Sequence, residues 1–157
     1  MRLDVMSRLQ GLRAFETLWD RRTTINTGEQ SIEVLSLPDL VTAKKTQRDK
    51  DWSMIARLVE AHWTQTRPPA SDAAIDFWLR DLRTPAFLTQ VAREAPASCR
   101  RIAAERPLLM AALSGDEAAV TRLLREEEDR EREADRHYWA PLKRRLEALR
   151  REYHERR

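Results

Sequence analysis

Between Lys44 and Asp51 the chain reads KKTQRDKD, which gathers Lys44, Lys45, Arg48 and Lys50 with Asp49 and Asp51. A guanidinium presents a planar fork of donors and a lysine presents a point charge, so Arg48 beside Lys44 and Lys45 suits contact with a polyphosphate. The same residues have a plainer use. Cations leaving one helix and carboxylates entering the next complement the two helix dipoles. Spacing along the chain leaves both readings open.

A second candidate is Asp4, which alternates with Leu3 and Val5 in RLDV, the pattern of a strand. A carboxylate on a strand projects from one face of a rigid element and is well placed to meet a metal ion. One carboxylate alone is a poor magnesium site, because that ion is shared among several oxygens and substrate phosphates. His62, His137 and His154 are far apart, with no second histidine at helical spacing and no serine or cysteine in a nucleophile context. A zinc site or a catalytic triad is therefore not expected. No phosphate-binding glycine loop and no dinucleotide fingerprint occurs.

The totals narrow the class. Over 157 residues, 35% of the chain is charged and only three glycines occur, which favours helix. A formal charge of +3 is the small remainder of 29 cations and 26 anions, so composition alone does not indicate nucleic-acid binding. Cys99 is the sole cysteine, which excludes an internal disulfide and fits a reducing, cytoplasmic location. No apolar run is long enough to span a membrane, so no membrane partner is expected.

The elements that would position these residues follow from periodicity. A strand at the start, a short helix around Phe15, Leu18 and Trp19, and a hairpin turning at Gly28 suggest a three-stranded mixed fragment. Ser36 caps the next helix, with Pro38 in its first turn and Asp39 placed for a capping box. Trp52, Ile55, Ala56, Val59, His62 and Trp63 form one side of an amphipathic helix, with His62 at the edge of its packed face. Pro68-Pro69 marks the best boundary. Beyond it, helices are expected in SDAAIDFWLRDL, in TPAFLTQVAREA with Thr84 as N-cap, and in ERPLLMAALSG ending near Gly115. From Asp116 the pattern gives one long helix or two collinear ones, kinked or restarted at Pro141. Its middle, REEEDREREADR, is polar all round, and its plainest reading is a solvated stretch between two packed ends.

RLDVMSRLQGLRAFETLW followed by IEVLSLPDLVTAKKTQRDKDW resembles the latter part of the nucleotidyltransferase-fold proteins related to abortive-infection toxins. The resemblance spans about residues 2–63 and is carried mainly by the LSLPDLV, KK, R and KD positions. It implies that Asp4 is the third of three metal-binding carboxylates, and that Lys45, Arg48, Lys50 and Asp51 belong to the later basic and acidic motif. In that superfamily a Gly-Ser turn and an Asp-x-Asp pair come first, and two metal ions clamp a nucleoside triphosphate. Only three residues precede Asp4, and Met54 stands where many relatives carry a second aspartate. The chain as given is therefore not expected to transfer nucleotides unaided.

Two expectations result. The first is an α+β chain: residues 1–66 form a truncated or degenerate nucleotidyltransferase-like β-sheet fragment, and residues 67–157 a mainly helical region, as in longer bacterial members of the group. In it Lys44, Lys45, Arg48, Lys50 and Asp51 contact a nucleoside triphosphate, and Asp4 holds Mg2+ if other residues or a partner complete the site. The second is a helical interaction module, antitoxin-like or a scaffold subunit, whose charged C-terminal helix docks a protein or a nucleic acid.

Overall fold

The structure is a computed structural model that describes residues 9–155. The strand expected at the start, and Asp4 with it, lie outside the described residues. The class is α+β, with helix predominating.

A short helix α1 (Phe15–Asp20) leads into an antiparallel hairpin of β1 (Thr23–Asn26) and β2 (Ser31–Val34), paired from Thr23 with Val34 to Asn26 with Ser31. Gly28 takes φ 87° at the turn, and the Thr27 N–H donates to the Gln30 carbonyl at 2.9 Å. Both strands are exposed, apart from half-buried Val34, so this hairpin carries no core of its own. Arg22 bridges it to Glu33 at 2.8 Å, and Arg21 reaches Asp39 at 2.7 Å to join α1 to the next helix.

That helix, α2 (Leu37–Ala43), starts where expected. The Asp39 N–H donates to the Ser36 hydroxyl at 3.4 Å. The return arm of the capping box is altered, however: the Ser36 hydroxyl donates to the Asp39 carboxylate at 2.6 Å, and that carboxylate also serves Arg21.

A helical body follows, built from α3 (Asp49–Gln65), α4 (Asp72–Asp81), α5 (Pro85–Glu94), α6 (Pro96–Ile102) and α7 (Leu109–Ser114). Its core joins Ile55 and Val59 of α3 to Leu79 and Leu82, Leu88 and Val91, Ile102, and Leu109 and Ala112. α7 packs against α5, α6 and the following helix through buried Leu109 and Ala112, while Met110 on its other side is exposed. Helix α6, in PASCRRI, buries Cys99, whose thiol lies 3.4 Å from the Leu109 carbonyl; burial pushes that thiol up from its ordinary pKa. His62 is half-buried, as its position on α3 suggested, and accepts from Trp78 Nε1 at Nδ1 over 2.9 Å. That bond requires a lone pair on Nδ1, and burial lowers the imidazole pKa in the same direction.

Thr84 stands at the α5 N-cap, yet its hydroxyl does not cap the helix. It donates to Glu60 of α3, so tertiary bonding takes the group that local geometry would have used.

The last helix, α8 (Glu117–Glu155), is continuous over 39 residues and passes through Pro141 without a restart. It is launched by a tight reversal. Gly115 adopts φ 81°, the Asp116 N–H donates back to the Ala111 carbonyl at 3.0 Å, and the Asp116 carboxylate accepts from the Ala119 N–H at 2.9 Å. A methyl at Gly115 would crowd the Arg93 guanidinium, which can swing aside, but the left-handed backbone cannot be relieved. Gly115→Ala should therefore destabilise the fold by about 1–2 kcal/mol in urea unfolding, with no change in helical content at low denaturant.

Candidate functional site

The charged stretch after α2 is a clasp between helices. Lys44 closes α2, its N–H donating to the Leu40 carbonyl at 3.1 Å, and its ammonium lies 3.8 Å from Asp51. Thr46 donates through its hydroxyl to Asp51 at 2.6 Å and accepts at its carbonyl from Trp52 Nε1 at 2.7 Å. A helix-opening carboxylate is thus held by the turn that precedes it. Asp51 is only 3% exposed, so it serves this turn and is closed to solvent.

The clasp reaches across the bundle. Lys45 pairs with Asp81 of α4 at 3.0 Å and stands 3.8 Å from Glu131 of α8. The Gln47 N–H donates 3.0 Å to Asp135 of α8, which is 3% exposed, and Asp49 pairs with Arg132. Arg132 also stands over Trp52, 5.8 Å from the ring centroid, and Arg83 lies 4.9 Å from that ring.

Beneath the clasp lies a second charged layer. Arg106 is buried, and its guanidinium donates to the Leu79 carbonyl at 2.8 Å, the Leu82 carbonyl at 3.2 Å and Glu127 at 3.0 Å. These bonds satisfy carbonyls at the C-terminal end of α4 that helix geometry leaves open. Arg83 faces the other oxygen of Glu127 at 3.0 Å. Burial opposes the Glu127 charge, but Arg106 and Arg83 outweigh it and hold the carboxyl below its ordinary pKa of 4.5. Burial likewise pushes Arg106 down, with Glu127 acting against it.

The expected phosphate-contacting residues therefore divide. Lys44, Lys45 and Asp51 are engaged with partners inside the fold, whereas Arg48 and Lys50 are exposed and have no side-chain partner among the described residues. Among the described residues no three His, Cys, Asp or Glu side chains come together to hold a metal ion. Asp51 does not fit a magnesium site, because one oxygen accepts from Thr46 and the other faces Lys44.

Periodicity did not single out Arg83, Arg106, Glu127 or Asp135. A usable signal was present: Val120, Leu124, Glu127, Glu131 and Asp135 recur at steps of three and four, so the acids continue the apolar face. The middle of α8 is accordingly solvated only on the side of Arg125, Glu126, Asp129, Arg130 and Glu133, while Glu127, Glu131 and Asp135 turn inward.

That face runs on beyond the body. Tyr138 lines a mixed cleft of about 870 Å³, next to the hairpin, with apolar Phe15, Leu18 and Trp19 and charged Arg13, Arg22 and Glu33. From Pro141 to His154 every side chain is exposed, including Leu142 at 46%, Leu146 at 45% and Leu149 at 51%. No helix among the described residues is long and apolar enough to cross a membrane. A scan against protein-family models and searches of curated proteins and of solved structures find no match.

Glu127→Ala would leave two buried guanidinium groups without their counter-charge and should destabilise the protein by about 3–5 kcal/mol at neutral pH. Because the folded pKa of Glu127 is depressed, its contribution is full above about 4.5 and is lost as pH falls through the folded value. Urea unfolding at stepped pH should thus show a flatter acid limb for the variant than for the parent chain.

Proposed function

We propose that this protein is a helical docking module, in which the body formed by α2–α7 anchors α8 and the projecting half of α8 is offered to a protein partner. One observation carries this reading. The helix face that buries Val120, Leu124 and Asp135 against the body continues in phase as Leu142, Leu146 and Leu149, where the body no longer covers it. Repeated large apolar side chains along one exposed face are unfavourable in water unless another surface removes them from it.

The clasp supports the same reading from the other side. Lys45, Gln47 and Asp49 bind Glu131, Asp135 and Arg132, so the charges around 44–51 fix the exit of α8. Removing the whole helix from residue 116 would strip Val120 and Leu124 from the core, whereas removing residues 141–157 leaves the body's own contacts in place.

A photo-crosslinking residue at Leu146 of the full chain, expressed in its native cells, should give a discrete protein adduct. The adduct should vanish in L142D/L149D, and the same probe at Met54 should give none. No adduct at Leu146, or the same adducts from both positions, would remove this reading.

A nucleotide-linked role is the second reading, and the exposed Arg48 and Lys50 favour it. It rests on the resemblance to nucleotidyltransferase-fold proteins, and it places the phosphates at these two exposed cations rather than at Lys44 and Lys45. Calorimetric titration with magnesium and each nucleoside triphosphate should then show binding that R48A/K50A abolishes; no heat with any of them removes this reading.

A further inference from the structure

The chemistry of the partner is written on the flanks of the projecting helix. Trp139, Leu142, Leu146, Leu149 and Tyr153 follow steps of 3, 4, 3 and 4, a heptad seam with Trp139, Leu146 and Tyr153 at a and Leu142 and Leu149 at d. Such a two-per-heptad stripe is the width that one partner helix covers with knobs in holes. The flanking e positions are Lys143 and Arg150, and the g positions after Tyr138 are Arg145 and Glu152. Three of these four charges are positive, and all four side chains are exposed.

We infer that residues 138–153 of α8 pair with one amphipathic helix of a different protein, carrying leucine-like side chains on its seam and carboxylates on its flanks. This rests on the docking reading and adds the partner's class. A second copy of this chain is the poorer occupant. Parallel pairing sets Arg145 of one copy against Arg150 of the other, and antiparallel pairing sets Lys143 against Arg150 while Arg145 meets Glu152, so self-pairing at best cancels its charges, whereas flanking carboxylates would meet three cations. Like charges at these positions select against a partner as effectively as opposite charges select for one.

The test uses the full chain and two synthetic peptides of about three heptads with leucine at a and d, one with glutamate and one with lysine at e and g. Titration calorimetry should show the glutamate peptide binding at least about tenfold more tightly than the lysine peptide, with affinity falling as salt rises. L146D should abolish binding while the thermal unfolding midpoint stays unchanged, since Leu146 is exposed. R145E/R150E keeps the seam and should reverse the preference.

Equal affinity for the two peptides would overturn the inference about charge and leave the docking reading intact. Binding of neither peptide by a chain that sediments as a dimer would overturn it in favour of a second copy. Binding of neither peptide, with uptake onto vesicles containing anionic lipid, would make the partner a membrane surface and overturn both. A monomer that binds none of these probes and yields no adduct at Leu146 would also remove both.

Discussion

The arrangement depends on one buried carboxylate. Glu127 meets two guanidinium groups inside the bundle, and one of them, Arg106, spends its other donors on the carbonyls of Leu79 and Leu82. A charge in that position is tolerable only with its counter-charges in place, so α4, the segment before α7, and α8 must arrive together. Apolar packing alone would hold these helices without fixing how α8 slides or turns on its axis. The ionic layer defines its register, and the outer clasp from Lys45 to Asp49 repeats that definition one turn further along.

Much of the scaffold was legible from the sequence because it follows local rules. Ser36 caps α2, the helix expected in SDAAIDFWLRDL forms as α4, and α7 ends at Gly115. What escaped was decided at a distance. Thr84 has the right identity and place for a cap and bonds to Glu60 instead, and α6 is a short apolar and basic segment whose helix is fixed by burying Cys99 and Ile102.

The charged residues show the same limit more sharply. Lys44, Lys45 and Asp51 have the side chains that a polyphosphate site would use, and dipole complementarity uses the same types, so chain spacing could not separate the two. Three-dimensional pairing supplies the missing information: Asp81 and Glu131 lie far from Lys45 in sequence and beside it in the fold. Arg48 and Lys50 are left on the surface by the same geometry, as the first turn of α3 directs Asp51 and Trp52 inward and Lys50 outward. The inward-facing acids of α8 were hidden in a run that looks uniformly polar, because its meaning lies in which side of the helix each carboxylate occupies.

The continuity of α8 bears on how a partner would meet it. Starting a helix in water is the unfavourable step, since several residues must be ordered before the first hydrogen bond forms, while each later residue adds to an existing template. The buried half of α8 is such a template, seeded by the Asp116 cap and fastened along Val120, Leu124 and Asp135. Pro141 follows the buried Asp135 by less than two turns; it forgoes the bond to the His137 carbonyl, and the helix nevertheless continues beyond it. The projecting half therefore enters an encounter as an ordered rod, and an incoming chain need only organise itself against it.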